Sequence, residues 1–473
     1  MRGSTASLTS LHLTIQNKEY ENDLLELVRL FEPRYEGDLN IDLDYKYKNG
    51  ILRTEFKSDF FENFKKVYTY KIEGNDEIEI KRNIKIYLKV AIYNVLAYLT
   101  RINLPYGCLT GIRPTKLYRD LGKSARDTFT NVFSVIDKKV DLVKSIVDIQ
   151  NPILSKKDEY DIFIFIPFCP SKCKYCTFVS EPLERTKHLV DPYVSCLIRE
   201  LSLLPEIIKK NRGNVRSIYI GGGTPTALPI NQLQQIIRAL PKEHQEFTVE
   251  AGRPETITEE MLSMLSEEGV NRISINPQTF NDRTLKTIGR LHNSYDIDRA
   301  YKLARDKFLI NMDLIAMLPE ETFYDFKYSL DKTIYYNPDN ITIHTLYKKR
   351  ASEIEGRMSL EDDNLANKMI DYSQCTLNRA EYIPYYMYRQ KYTGGSLENV
   401  GYAKVGTECL YNIDIMEEQT NIIAFGAGAI SKRIHFDKNL ITRLPHARNP
   451  YDYINRIDEI YNNQQTYWLN LSD

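Results

Sequence analysis

The sequence predicts an α/β protein. At its centre is a partial (β/α)6 barrel, with an α+β N-terminal domain before it and a mixed C-terminal extension after it. Three observations carry this. Between residues 160 and 345, six short β-rich runs alternate with helical stretches, which implies parallel pairing with right-handed crossovers. Residues 1–155 mix helical and alternating patterns without that rhythm, and after residue 345 the rhythm stops. The expected domains are therefore 1–155, 156–345 and 346–473.

In the first of these, "NDLLELVRLF" has helical spacing of apolar residues. "NIDLDYKYKNGILRTEFKSD" alternates in period two around Asn49-Gly50, a hairpin signal. "NIKIYLKVAIYNVLAYLTRI" reads as a long amphipathic helix, and "DIQNPILSKKDE" as a linker. The six barrel strands are "YDIFIFI", "VRSIYI", "EFTVEA", "NRISIN", "FLINMDLI" and "DNITIHTL", with helices such as "TEEMLSMLSEEG" between them. The last domain should hold helices near 360–380 and 450–463, with the glycine-rich "IIAFGAGAISK" between them.

Composition narrows the class. With 42% hydrophobic residues, 473 residues can bury a sizeable core. A formal charge of −1 gives no global pull toward nucleic acid or an anionic membrane. No run approaches the ~18 apolar residues of a membrane span, and "MRGSTASLTS" lacks the apolar core of a signal peptide. A soluble, cytoplasmic, reduced protein is expected, because seven cysteines with three of them clustered do not suit a disulfide framework.

That cluster is "IPFCPSKCKYCTF", with Cys169, Cys173 and Cys176 in C-x3-C-x2-C spacing. Three thiolates on one loop can ligate three irons of a [4Fe–4S] cluster, leaving one iron open. They can also take three positions of a tetrahedral zinc, for which His188 is the nearest fourth ligand. Lys172 and Lys174 would temper the negative charge. "YIGGGTPTAL" brings Gly221, Gly222 and Gly223 after the second strand, either as a tight turn or as backbone open to a ligand. Glu250 ends the third strand and could simply pair with Arg253. Gln278 follows the fourth strand, and Arg290 comes twelve residues later. Asp313 sits inside the apolar fifth strand, where a carboxylate is costly unless paired, with Arg290 or a ligand hydroxyl as its expected partner. His344 ends the sixth strand.

In order, "IPFCPSKCKYCTF", "GGGTPT", "INPQTFND" and "NMDLI" resemble the motifs of radical S-adenosylmethionine (SAM) enzymes. The closer resemblance is to the oxygen-independent coproporphyrinogen III oxidase-like family, and "LTGIRPTK" and "VEAGRPETIT" fit its HemZ-type coproporphyrinogen dehydrogenases. The resemblance implies a barrel of the radical SAM type with Cys169, Cys173 and Cys176 on a [4Fe–4S] cluster. It implies SAM-site roles for Phe163, Tyr175, Gly222, Gly223, Thr224, Glu250, Gln278, Arg290 and Asp313. Phe163 stands where such oxidases carry tyrosine, and "CTFVS" lacks their further cysteine. "AFGAGAIS" resembles the glycine motif that closes the open barrel end.

The implied reaction is oxidative decarboxylation of coproporphyrinogen III to protoporphyrinogen IX in haem biosynthesis, through a 5′-deoxyadenosyl radical. The implied partners are a tetrapyrrole substrate and reduced flavodoxin or ferredoxin as electron donor, with no nucleic acid and no membrane span. Arg113, Arg253 and Lys348 are candidate propionate partners. The alternatives are a radical SAM enzyme acting on another tetrapyrrole, as in haem degradation, and a haem chaperone on the same fold. Such chaperones carry His-Asn-x-x-Tyr-Trp where this chain has "YNIDIME". The sequence marks no general acid or base.

Anaerobic reconstitution should load about four irons per chain. Replacing Cys169, Cys173 or Cys176 with Ala should abolish the iron–sulfur absorption, whereas Cys375→Ala should leave it unchanged. Stoichiometric zinc in place of iron would refute the cluster.

Overall fold

The computed structural model describes residues 10–35, 37–59, 64–211, 213–346, 360–390, 393–438 and 440–470. They fall into two compact units. One lies within Met1–Lys144, Gly356–Asn367 and Arg389–Leu397, the other within Ser145–Glu355, Lys368–Tyr388 and Glu398–Asp473.

The first unit holds β1 (Ser10–Ile15), α1 (Glu21–Phe31), β2 (Asp38–Lys48), β3 (Ile51–Ser58), β4 (Phe64–Lys71) and α2 (Glu77–Thr100). Its sheet runs β1-β2-β3-β4, parallel at the first pair and antiparallel after it. The expected hairpin is present. Asn49 and Gly50 both have positive φ, 51° and 76°, the geometry that an Asn-Gly turn between twisted strands requires. The alternation buries Leu39, Ile41 and Leu43 on β2, with Leu52 and Phe56 on β3. The side chain of Asp76 caps α2 by accepting from the Glu79 N–H at 2.8 Å.

The second unit is built on β5 (Glu159–Ile166), β6 (Asn214–Gly222), β7 (Glu246–Val249), β8 (Arg272–Ser274), β9 (Leu309–Ala316) and β10 (Asn340–Thr345). These six strands lie side by side in chain order, all parallel, as the sequence rhythm predicts. Their main crossover helices are α3 (Val190–Leu201), α4 (Ile230–Arg238), α5 (Glu259–Glu267), α6 (Ser294–Ala304) and α7 (Phe323–Tyr336). This is the partial (β/α)6 barrel.

Later segments extend both edges. Strands β11 (Ile383–Arg389) and β12 (Glu398–Ala403) add beyond β10, with β12 antiparallel to it. Helix α8 (Leu410–Glu417) follows, and β13 (Asn421–Phe425) then pairs parallel with β5, continuing to β14 (Ile430–His435) and β15 (Leu440–Pro445). Helix α9 (Ile457–Leu469) ends the chain's described structure. No helix among the described residues is long and apolar enough to cross a membrane.

Period-two alternation sorts the barrel strands into two faces. Ile162, Ile164, Ile218, Ile220, Met312, Leu314, Ile341 and Ile343 are buried aliphatics on one face. On the inner face stand Asp161, Phe163, Tyr219, Asn311, Asp313, Thr342 and His344. At the N-terminal ends of the strands that face is plugged by polar pairs. Ser217 donates to Asp161 at 2.6 Å, Arg216 to Asp414 at 2.6 Å and Arg272 to Glu246 at 3.2 Å. Burial pushes the carboxyls of Asp161 and Asp414 upward. An aromatic layer sits next, with Tyr219 stacked on Tyr411 at 4.3 Å and Tyr411 on Phe163 at 5.7 Å. Chemistry is left the C-terminal strand ends, as in other barrels.

The "AFGAGAIS" turn follows β13 and is braced from α3. Glu200, fully buried, accepts from Gly426 N–H at 3.1 Å, from the Tyr453 hydroxyl, and from Gln464 at 3.2 Å. His446 places Nε2 2.8 Å from Glu200 and Nδ1 3.2 Å from the Ala429 carbonyl. Burial opposes charge on His446, but Glu200 and the carbonyl outweigh it and raise its pKa above 6.5. A raised folded pKa stabilises fully below the unfolded value and ceases to do so as pH climbs through the folded value. Wild type should therefore melt well above His446→Gln at about pH 6, and the gap should narrow by about pH 9.

Candidate active site

The cysteine loop leaves β5 directly. Phe168–Cys169 pairs with Glu181–Pro182, and Cys176 N–H donates to the Cys173 carbonyl at 3.0 Å. The loop is also tied to the segment after β8, where Lys174 N–H donates to the Ile288 carbonyl at 3.0 Å and Ser171 to that of Gly289 at 3.1 Å. Two side chains reach the sulfurs. Arg253 donates to Cys173 Sγ at 2.8 Å, and Thr224 to Cys169 Sγ at 3.5 Å. A guanidinium beside a thiol suits a sulfur that carries negative charge. Arg253 is otherwise engaged by Ser171 and by Glu255 at 2.9 Å, not by Glu250, and it is too committed to serve as a propionate partner. Of the other candidates for that role, Arg113 belongs to the first unit and Lys348 lies outside the described residues.

His188, the alternative zinc ligand, is exposed. Among the described residues, no three His, Cys, Asp or Glu side chains converge as ligands of a single ion do. The donor set is three thiols with a cationic neighbour, and it suits a cluster in which each cysteine holds a different iron.

The glycine loop after β6 packs tightly. Gly222 has φ +107°, and a Cβ on Gly223 would fall 2.5 Å from the Phe168 carbonyl oxygen. Gly223 N–H donates to the Ile166 carbonyl at 2.7 Å and Thr224 N–H to that of Phe168 at 2.8 Å. Close approach to the Ile166–Phe168 backbone accounts for Gly223, and the Phe165 ring and a positive φ account for Gly222.

Glu250 is held by the Tyr219 hydroxyl at 2.6 Å and by Gly222 N–H at 3.1 Å. Burial raises its pKa to about 7 against these two bonds, with Asp313 adding repulsion. Gln278 adopts φ +69°, and its backbone bridges β9 through Asp313 and Ile315. Its side-chain Oε1 is buried without a partner, as is Oδ1 of Asn276 on the same loop. Arg290 donates to the Tyr175 hydroxyl at 2.8 Å and to the Gly252 carbonyl at 2.9 Å.

The structure corrects the expected pairing of Asp313 with Arg290. Asp313 accepts from Asn311 at 2.7 Å and lies 3.6 Å from Nε2 of His344. Burial pushes its pKa up, but His344, Asn311 and Thr342 outweigh it and lower the pKa below the usual value. Sequence reasoning passed over Tyr219, Asn276, Asn311 and Tyr388, whose hydroxyl lies 3.1 Å from His344 Nδ1. Of these, Tyr219 and Asn311 were within reach of strand parity, lying two residues before Gly221 and Asp313.

Glu250 gives a test with a definite sign. Its folded pKa is raised from 4.5 to about 7, so its stabilising contribution is complete below 4.5 and lost as pH rises through 7. Glu250→Gln can still accept from Gly222 and donate to Tyr219. Above neutral pH it should stabilise the ligand-free protein by about 1–2 kcal/mol, with no gain near pH 4.5, as read by denaturant unfolding.

Residues 163–332 match the model of the radical SAM superfamily. The chain is 37% identical over 414 residues to the oxygen-independent coproporphyrinogen-III oxidase-like protein HemZ of Bacillus subtilis, covering 83% of this chain and 82% of that protein. It is 30% identical over 302 residues to the heme chaperone HemW of Escherichia coli, covering 62% and 75% of the two chains. Among solved structures, the coproporphyrinogen III oxidase HemN of Escherichia coli, a radical SAM enzyme, superposes with a TM-score of 0.50 at 20% identity, covering 67% of this chain and 73% of that one. The cofactors expected from the sequence, a [4Fe–4S] cluster and SAM, are those of the superfamily. With this fold and this extent of identity, the chain belongs to the oxygen-independent coproporphyrinogen-III oxidase-like family of radical SAM proteins.

Proposed function

We propose that the chain oxidatively decarboxylates coproporphyrinogen III to protoporphyrinogen IX in the cytoplasm, with reduced flavodoxin or ferredoxin supplying electrons. The observation that carries the reading is the juxtaposition at one barrel end. The cysteine loop, with Arg253 on its sulfur, is stitched to the Gly222–Thr224 loop and to the segment carrying Arg290. Cys169, Cys173 and Cys176 would hold the cluster, with Tyr175 and Arg290 locking the loop. When bound, the cluster and SAM supply a 5′-deoxyadenosyl radical that abstracts an unactivated hydrogen. Gly222, Gly223 and Thr224 would line the SAM methionine end, and Glu250 would accept from its amino group. Gln278 and Asp313 would meet its polar edge, and Phe163 would form part of the floor beneath it. The aromatic layer of Phe163, Tyr219 and Tyr411 closes the barrel beneath that site and would keep water from the reacting centre.

The identity to HemW supports a second reading, haem carriage without turnover. The local structure speaks against it. Tyr411 is committed to the aromatic stack and Asn412 donates to the Tyr385 hydroxyl at 3.1 Å, so this stretch presents no imidazole.

Anaerobic incubation of the reconstituted chain with SAM, a reductant and coproporphyrinogen III decides the matter. Two successive losses of carbon dioxide by mass, each consuming one SAM, are expected. Stable haem binding with SAM left intact would replace this reading with the carrier.

A further inference from the structure

The Cys173 sulfur has a different neighbour from the others in its loop. Thr224 meets Cys169 at 3.5 Å as a neutral hydroxyl, whereas Arg253 meets Cys173 at 2.8 Å as a cation. Arg253 lies on the segment after β7 and is only 4% exposed, so its charge is held out of water beside the sulfur. Each nitrogen of the guanidinium is used. Nη1 donates to the sulfur, Nη2 to the Ser171 hydroxyl, and Nε to Glu255 Oε1 at 2.9 Å.

Glu255 is the brace. Its other oxygen, Oε2, lies 3.1 Å from Nδ1 of His292. A carboxylate only accepts, so Nδ1 carries the hydrogen. Burial opposes charge on Glu255, but His292 and Arg253 outweigh it and lower its pKa to about 2. Burial also holds His292 below its usual pKa, despite Glu255. The neutral ring leaves Nε2 buried without a partner, so its one hydrogen bond goes to the carboxylate that orients Arg253. The loops after β7 and β8 are closed on each other as well. Arg290, two residues before His292, donates to the Gly252 carbonyl beside Arg253, and Ser171 donates to the Gly289 carbonyl at 3.1 Å. The line from His292 through Glu255 to Arg253 therefore joins two loops and ends on one cysteine.

We propose that Glu255 and His292 are positioning residues for the reduction potential of the cluster: they hold Arg253 on the Cys173 sulfur and thereby raise that potential. The proposal rests on the cluster reading of Cys169, Cys173 and Cys176 and deepens it. Reduction adds a negative charge to a cluster already held by three thiolates. A cation donating to a ligand sulfur stabilises the reduced state more than the oxidised one, since the potential follows net charge and hydrogen bonds to the sulfurs. The sign separates positioning from bare charge. Glu255 is an anion, so its field alone would lower the potential. His292 is neutral, so replacing it removes no charge, and its effect must travel through Glu255 to Arg253.

The test uses the full chain, anaerobically reconstituted and free of SAM and substrate. The cluster's midpoint potential is read by EPR-monitored redox titration at about pH 8, above the ordinary imidazole range. Wild type is compared with Arg253→Gln, Arg253→Lys, His292→Phe, His292→Asn and the Arg253→Gln/His292→Phe double variant. Iron content and unfolding midpoint are matched first.

Arg253→Gln should make reduction about tenfold less favourable, a fall of about 59 mV for one electron, through loss of one charge-assisted hydrogen bond. Arg253→Lys, which keeps the charge and loses the fork, should fall in between. His292→Phe should lower the potential by part of the Arg253→Gln shift. His292→Asn, whose amide N–H sits near the Nδ1 position, should restore the wild-type value. The double variant should match Arg253→Gln, because His292 acts through Arg253.

An unmoved potential in Arg253→Gln, with the cluster loaded, overturns the proposal and leaves the cluster reading standing. So does a His292→Phe shift that adds in full to that of Arg253→Gln, or one that His292→Asn does not reverse. If Arg253→Gln does not retain iron, the pair His292→Phe and His292→Asn carries the test, and equal potentials in the two overturn it. A wild type that takes up no iron–sulfur cluster removes the cluster reading and this one together.

Discussion

The exit of β5 is the constraint on which the rest of the second unit depends. This strand pairs with β6 on one side and β13 on the other, and its last residues run straight into the cysteine loop. One helix and two loops are fitted around that exit. The Phe165 carbonyl accepts from the Tyr193 hydroxyl at 2.6 Å. The Ile166 and Phe168 carbonyls accept from Gly223 and Thr224. A side chain on Gly426 would strike the Phe165 carbonyl at 2.5 Å, so the "AFGAGAIS" turn and the "GGGTPT" loop close on one stretch of backbone from opposite sides. Each of these carbonyls would otherwise be an unpaired acceptor where the sheet ends. Gly223, Thr224 and Tyr193 thus satisfy the end of a buried strand, and the cysteines inherit a fixed starting point.

From that exit, the electrostatics divide the inner face. Glu250, just past β7, and Asp313, inside β9, are both carboxyls on the inner face, yet their environments push them in opposite directions. Glu250 has one hydroxyl and one backbone donor, too few to offset burial next to another acid. Asp313 accepts from Asn311 on β9 and faces His344 on β10, and these neighbours hold its pKa below the usual value despite burial. Burial thus wins at Glu250 and the surrounding donors win at Asp313, so two neighbouring acids on one face titrate in opposite directions from their ordinary values.

The sequence shows the barrel clearly because parallel strands buried on both faces read as short apolar runs. Six such runs separated by helical stretches admit few arrangements. The cysteine loop is equally plain, since its spacing is local. The partners are not. Asp313 announces that it needs one, and the sequence offers Arg290 or a ligand hydroxyl. The actual donors come from Asn311, on the same face of its own strand, and from His344, whose place depends on the β9–β10 register. Tyr388 arrives from a strand two positions further along the sheet, a placement that no local pattern encodes. The edge strands β13 to β15 were hidden for the same reason. "IIAFGAGAISK" reads as a turn, and only tertiary pairing makes its first residues a strand beside β5.

The plug at the opposite end explains why the active end is free to be polar. Arg216, Arg272, Asp161, Asp414 and Glu246 are buried together beneath the aromatic layer, paired but with single oxygens of both aspartates left unpartnered. Such a network is weak evidence for stability, because removing its charges from water costs as much as pairing returns. Its value lies in geometry. Arg272 also donates to the Thr407 carbonyl at 2.9 Å, and Leu410 N–H donates to Glu246 at 3.1 Å, which pins the segment leading into α8. That pinning sets Tyr411 under Tyr219, and Tyr219 in turn holds Glu250. A charge network at the closed end therefore fixes the position of an acceptor at the open one, through two stacked rings and a single hydroxyl.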